Sequence, residues 1–402
     1  MKTQQEQNGS TPAQPLVVLL LPIMAAVSAA FLVTGFTMTV LPVYVHNRLG
    51  FDTFVVGLVA GAQFAAALLS RFWAGTQADR YGGKRAVLIG LVLGLAAGFL
   101  YFASLQFISH PEVSVLLLLL GRAVFGGAES FIVTGALSWG LAAGGPQNTG
   151  RVMAWIGTAM YVALAAGAPL GTLMYGRYGF GAIAVATTLV SLLVLLFALR
   201  QPFTAPPASS RPSIVRVVGA VALPGMGLAF SSLGFAAIST FVVLLFTRQG
   251  WPMGWLAVTT FAVAFVIARL FLSHLADAVG GGKVAFVSAL VEALGLAVIW
   301  LAPGPAVAFA GAAVTGLGYS LVYPGFGVEA VRRAPAESRG LAMGAYTAFL
   351  DLALGVANPV LGLVASHTAL NEVFLVSAGV VLGAAAIGFS LLPAGLRVVR
   401  RR

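Results

Sequence analysis

The 402-residue chain has no cysteine. Disulfide bridges, thiol nucleophiles and cysteine-held metals are therefore excluded. Charge is scarce as well: 8% of residues are Asp, Glu, Lys or Arg, against about 25% in soluble domains. There are only four histidines, at 46, 110, 274 and 367, and none has metal-ligand spacing. The chain contains no glycine-rich phosphate loop of the GxxxxGK[ST] type and no Ser-His-Asp order. No metal, no cofactor and no enzymatic activity are expected, and ATP-driven pumping by this chain alone is not supported. Acid is scarcer than base, with 11 Asp plus Glu against 22 Lys plus Arg, a net charge of +11.

What remains is apolar: 59% of residues are hydrophobic and 49 are glycine. The apolar residues fall in long runs, near 16–45, 54–73, 85–105, 114–142, 152–174, 180–199, 215–246, 253–275, 283–303, 305–328, 340–365 and 371–393. A run of ~20 residues crosses a hydrocarbon core roughly 30 Å thick. The pattern predicts an all-α transmembrane protein of twelve helices embedded in a lipid bilayer. Glycine suits helices that pack closely without a hydrophobic force between them.

The excess of base would suggest nucleic acid in a soluble protein, but its placement follows the orientation rule for membrane loops. With both termini on one side, eighteen Lys and Arg fall on that side. Arg48, Arg177 and Arg248 fall on the other, and Arg122 lies inside span 4. This predicts cytoplasmic termini and no nucleic-acid partner. Residues 1–15 lack the basic region and small-residue cleavage site of a secretory signal, so span 1 is expected to stay in the fold.

The segment 200–213, rich in Pro and Ser, divides six spans from six and reads as an irregular linker. The expected organisation is a disordered cytoplasmic N-terminus (1–15), a six-helix bundle (16–199), the linker (200–213), a second bundle (214–394) and a basic tail (395–402). A shift of 198 places Arg71 and Asp79 on Arg269 and Asp277. A shift of 199 places Gly35-Phe36 on Gly234-Phe235, and one of 200 places Arg48 and Gly50 on Arg248 and Gly250. Three coincidences indicate an internal duplication, a device by which transporters form a central cavity. Extended to span 10, the first shift sets Ser320 and Gly327 opposite Arg122 and Glu129.

Four motifs resemble those of the major facilitator superfamily. The turn after span 2 carries Gly75, Asp79, Arg80, Gly82, Lys84 and Arg85, and its second copy keeps Asp277 and Gly280 but lacks the Arg after the Asp. Span 4 reads Leu120-Gly121-Arg122 through Gly126-Gly127-Ala128-Glu129. Span 5 reads Gly167-Ala168-Pro169-Leu170-Gly171, similar to an exporter motif but with Ala168 interrupting its Gly-Pro pair. Together with Val291-Glu292 and Phe349-Leu350-Asp351-Leu352, these are similar to the YhhS/YfcJ-like bacterial exporters. The resemblance implies the twelve-helix facilitator fold of two pseudo-symmetric six-helix bundles. It also implies a place in the bacterial inner membrane, a gating role for the Asp79 motif and proton coupling near Arg122. Glu129 departs from the pattern, in which a neutral Gln is more common.

The marked residues each carry two readings. The Asp79 turn anchors topology with its basic residues, or gates one access state by contact with the start of span 11. Arg122 and Glu129, seven residues apart on one helix face, are separated by roughly 10 Å along the axis. That is long for a direct bridge, so either the pair is structural or Glu129 takes and releases a proton during transport. Charge within a membrane is costly and faces the protein interior. Asp351 shares a stripe with Thr347 and Asn358, lining a cavity or bonding a neighbouring helix. Glu292 is read as scaffold, and Glu329 as a loop ion pair with Arg332 or Arg333. Pro169 removes a helix hydrogen bond, and with Gly167 and Gly171 it forms either a seal or ordinary close packing. Phe36, Phe125, Phe235, Tyr319 and Tyr323 form an apolar binding wall, or are core.

Proton-coupled export of a small organic compound by alternating access is the leading expectation, with Glu129, Arg122 and Asp351 as proton-coupling residues and a monomer as the working unit. The alternatives are a symporter importing a nutrient and, more remotely, a membrane sensor. The sparse charge suggests a neutral, weakly basic or amphipathic substrate, while Arg122 leaves an anion open.

Overall fold

The computed structural model describes residues 16–145, 148–203, 214–272, 274–334 and 339–392. The segments read as the N-terminus, most of the linker and the tail lie outside the described residues. Twelve helices are long and apolar enough to cross a membrane. They are α1 (Leu16–Arg48), α2 (Thr53–Tyr81), α3 (Gly83–Gln106), α4 (Pro111–Gly144), α5 (Arg151–Tyr178) and α6 (Phe180–Leu199), followed by α7 (Val217–Arg248), α8 (Gly254–Leu272), α9 (Gly281–Trp300), α10 (Pro305–Arg333), α11 (Ala342–His367) and α12 (Glu372–Ser390). A short helix, Leu275–Val279, follows α8. Among the described residues there is no strand.

Local chemistry sets the helix ends. Asp52 caps α2, its Oδ1 accepting from the Val55 N–H at 3.0 Å, which satisfies one of the orphan donors of the first turn. Pro111 and Pro305 open α4 and α10, where the missing N–H costs nothing. The Asp79 motif is helical almost throughout. Gly75 to Tyr81 finish α2 and Gly83 starts α3, leaving Gly82 alone to make the turn at φ 89°. Gly280 repeats this at φ 97° in the second half. A side chain is strained at such angles, so glycine here is a backbone requirement.

The two halves repeat the same neighbours. α1 lies on α5 as α7 lies on α11, α4 on α2 and α3 as α10 on α8 and α9, and α3 on α6 as α9 on α12. The sequence shift is not uniform, however. A Cβ on Gly126 of α4 would run into the Gln63 backbone of α2, and one on Gly316 of α10 would run into the Phe261 backbone of α8. Likewise Gly83 meets Gly135, and Gly281 meets Gly325. The shift is thus 198 from α2 and α3 to α8 and α9, but 190 from α4 to α10. It is also 190 from α5 to α11, where Pro169 falls on Pro359. Arg122 and Glu129 therefore correspond to Ala312 and Tyr319, correcting the expected Ser320 and Gly327. The eight missing residues come from a shorter α9 and a shorter start of α10.

The halves meet along two seams, α2 on α11 and α5 on α8. In the first, Gly57 and Gly61 face the backbone of Asn358, Pro359 and Gly355, and the Thr53 hydroxyl donates to the Gly362 carbonyl at 2.9 Å. In the second, Tyr161 stacks on Phe265 with ring centroids 3.8 Å apart.

Candidate functional site

Arg71, Arg122 and Asp351 lie within electrostatic reach of Glu129, and Arg71 and Asp351 face each other across the α2–α11 seam. Glu129 on α4 is half-buried between buried neighbours. Its Oε2 accepts from Gln63 Nε2 of α2 and, at 3.5 Å, from the Thr34 hydroxyl of α1. Gln63 also reaches Thr34, at 3.4 Å. The Gln63 side chain is held in place because Gly126, one turn before Glu129, lets α4 touch the α2 backbone at that residue. Among the described residues no cation lies within ion-pair distance of Glu129, although the charges of Asp351, Arg122 and Arg71 all act on it.

Arg122 is buried and donates from Nη1 to the Thr37 hydroxyl at 2.6 Å, while its Nε has no partner among the described residues. It makes no bond to Glu129, in keeping with their spacing along α4. It borders a narrow cleft with Thr37, Phe64, Ser239 and Thr240. The last two belong to a π-helical turn, Ala237–Phe241, within α7. Such wide turns occur frequently at functional sites.

Asp351 is 4% exposed and pairs with Arg71 across the α2–α11 seam, with Arg71 Nε 2.8 Å from Oδ2 and Nη2 bonded to the same oxygen. Its stripe is divided among three neighbours. Thr347 meets the Tyr323 hydroxyl of α10 at 2.9 Å, Asp351 meets α2, and Asn358 Oδ1 accepts from the Thr240 hydroxyl of α7 at 2.6 Å. The stripe is therefore an interhelical bonding face, and its middle member bridges the halves.

Glu292 is fully buried in α9. Oε2 accepts from the Ser231 hydroxyl of α7, and Oε1 has no partner among the described residues. Glu329 lies within α10 rather than in a loop. It pairs with Arg332 at 2.6 Å and accepts from the Gly282 N–H at 3.3 Å, which ties α10 to the start of α9.

The remaining motif residues separate into distinct roles. Asp79 and Asp277 are exposed and make no ion pair among the described residues; residues 335–338, just before α11, lie outside the described residues. Lys84 is buried, with its Nζ bonded to the carbonyls of Leu199, at 3.2 Å, and Gln201, where a cation complements the C-terminal end of α6. Arg85 lies 4.3 Å over the Tyr81 ring, and Arg80 is exposed. Gly167 and Gly171 bring α5 onto the backbone of Gly35 and Phe36 in α1, with Pro169 between them. Phe36 and Phe125 are buried in the first half. Phe235 and Tyr319 stack with centroids 5.6 Å apart, and Tyr323 lies beside Arg269.

Gln63, Thr34, Arg71, Tyr161 and Arg269 are the site residues that sequence reasoning did not single out. Arg71 and Arg269 were visible as repeat partners; counted in the sequence among the eighteen basic residues of the cytoplasmic side, they lie instead within the spans α2 and α8. A separate cavity of about 260 Å³, lined chiefly by Val43, Tyr175, Phe246, Trp251 and Trp255, opens between the halves at the end carrying Gly50 and Gly250.

Two pseudo-symmetric bundles with charged side chains buried at their junction define a membrane transporter of the secondary class. The chain belongs to the Major Facilitator Superfamily, whose family model matches residues 23–257 and 230–399. It is 41% identical to an MFS-type transporter of Salmonella typhimurium, over 93% of this chain and 97% of that one. It is 40% identical to the MFS-type transporter YhhS of Escherichia coli strain K12, over 88% and 87%. Among solved structures it is similar in fold to the nucleoside transporter NupG, with a TM-score of 0.75 at 16% identity over 93% of this chain and all of that one. It is also similar to an inward-facing bacterial homologue of the lysosomal transporter Spinster, with a TM-score of 0.72 at 13% identity over 95% and 97%.

Proposed function

We propose that this secondary transporter is a proton-coupled antiporter that exports a small organic compound across the bacterial inner membrane, with both termini cytoplasmic. Glu129 carries the proton. One observation carries this reading: Glu129 is a half-buried carboxylate held by neutral donors, Gln63 and Thr34, without a cation in ion-pair contact among the described residues. A carboxylate locked to an arginine has little freedom to exchange its proton, whereas this one sits at the junction where access alternates. Arg122 and the Arg71–Asp351 pair set the field around it, and the Asp79 motif gates. The seam of α1 with α5 at Gly35, Gly167 and Gly171 supports a tight seal against proton leak.

The reading is tested in proteoliposomes carrying an internal pH indicator. Adding a transported compound is expected to move protons in wild type, while Glu129→Gln, which keeps the hydrogen-bonding shape, is expected to bind the compound without proton movement. Equal proton movement in the variant would remove Glu129 from the mechanism. Import of a nutrient by symport is the second reading, since the fold itself, shared with a nucleoside transporter, carries no direction of transport. A gene deletion separates the two: sensitivity to a compound follows from export, and failure to grow on a nutrient from import.

A further inference from the structure

The two seams are related by the internal repeat, yet their charges do not match. On α2, Arg71 is neutralised by Asp351 of α11. The repeat carries Arg71 to Arg269 on α8 and Asp351 to Tyr161 on α5, since α5 and α11 are related by the shift of 190 that superposes Pro169 and Pro359. The second seam therefore keeps the arginine but has a phenol ring where the first has a carboxylate.

Arg269 is half-buried. Its Nη1 donates to the Ser320 carbonyl at 3.1 Å, and its guanidinium lies 5.9 Å from the centre of the Tyr323 ring. A guanidinium has five N–H donors in a planar fork that fits a carboxylate bidentately. Among the described residues no carboxylate lies within ion-pair distance of it. Glu329, the next acid along α10, is nine residues beyond Ser320, roughly 13 Å along the axis, and is occupied by Arg332. A cation at membrane depth without a counter-charge is costly, and such residues mark substrate pathways.

The surroundings indicate what the counter-charge is attached to. Tyr161 is within electrostatic reach of both Arg269 and Glu129. It stacks on Phe265, whose ring centre is 5.9 Å from that of Tyr319, which stacks on Phe235. Arg269 follows Phe265 by four residues on α8, on the same helix face, so a fork of N–H donors borders this row of aromatic rings.

We propose that the transported compound is an organic anion with a planar apolar body, whose carboxylate pairs with Arg269 in the role that Asp351 fills for Arg71, and whose body lies on the Tyr161–Phe265–Tyr319–Phe235 wall. This rests on the transport reading above and names the substrate class of the same site. It moves the expected substrate away from neutral or basic compounds.

The test is a thermal-stability measurement on the purified full-length chain at constant ionic strength. The probes are matched sets on one ring: benzoate, benzamide and benzylamine, and 2-naphthoate, 2-naphthamide and 2-naphthylmethylamine. The expected result is stabilisation by the carboxylates alone, lost in Arg269→Gln and weakened about tenfold in apparent affinity by Arg269→Lys, which keeps the charge but not the fork. Should Arg269→Gln fail to fold, the lysine variant still decides. Stabilisation by the amides or amines equal to that by the carboxylates, no stabilisation by either carboxylate, or undiminished carboxylate binding in Arg269→Lys would overturn the proposal. Glu129→Gln is expected to keep carboxylate binding. Loss of proton coupling in that variant and loss of anion binding at Arg269 are therefore read separately.

Discussion

Glu129 and Glu292 are both acids inside the bundle without a cation at bonding distance among the described residues, but their surroundings differ. Glu129 is half-buried and bonded by two neutral donors. Glu292 is fully buried, has one donor and leaves Oε1 without a partner among the described residues. An unsatisfied buried polar group costs about 1–3 kcal/mol. Ser231→Ala removes the sole donor and is expected to lower stability by about that amount, seen as a reduced melting temperature in detergent. Glu292→Gln keeps the volume and can still accept from Ser231. It is expected to melt within about 1 kcal/mol of wild type and to transport normally, as suits a scaffold residue. Glu292 was legible in the sequence as an acid in an apolar run, but its partner was not, because Ser231 lies on another helix.

At the scale of helices, small residues decide which backbones touch. Gly126 and Gly316 occupy matching places where α4 meets α2 and α10 meets α8. Gly126→Ala and Gly316→Ala are each expected to destabilise by about 1–3 kcal/mol through overpacking against backbone, which has nowhere to move. Gly157 on α5 has open space around its Cα, so Gly157→Ala is expected to be neutral or to add up to about 1 kcal/mol of helix propensity. Thermal melts of the three variants check this directly, and equal effects at all three positions would contradict the packing described. Hydropathy located the twelve helices, since a span needs length and apolarity and both are read in one dimension. It missed the π-helical turn at Ala237–Phe241 and the change of shift from 198 to 190, which follow from hydrogen bonding and packing between helices.

For the molecule as a whole, the Arg71–Asp351 pair fastens the halves on the seam where Thr53 meets Gly362. Removing one partner leaves an uncompensated charge in a low-dielectric place, so single changes cost more than removing both. Arg71→Gln and Asp351→Asn are each expected to destabilise more than the double variant. Their coupling energy in melts is expected to be about 0.5–3 kcal/mol, with the lower part favoured because Arg71 is partly exposed. Because the chain has no cysteine, Thr53→Cys supplies a single label without background. Its reaction with a maleimide is expected to speed up when Arg71→Gln is added, as α2 parts from α11. An unchanged rate would mean that the pair does not hold the seam. The number of spans, the uneven placement of basic residues and the duplication were all readable from the residues in order, because membrane thickness and loop charge act on each segment separately. The pairing of Arg71 with Asp351, 280 positions apart, was not readable, nor were the isolation of Arg269 and the bonding of Glu129 to Gln63 and Thr34. Those depend on which helix faces come together, and close glycine contacts between distant segments select the faces.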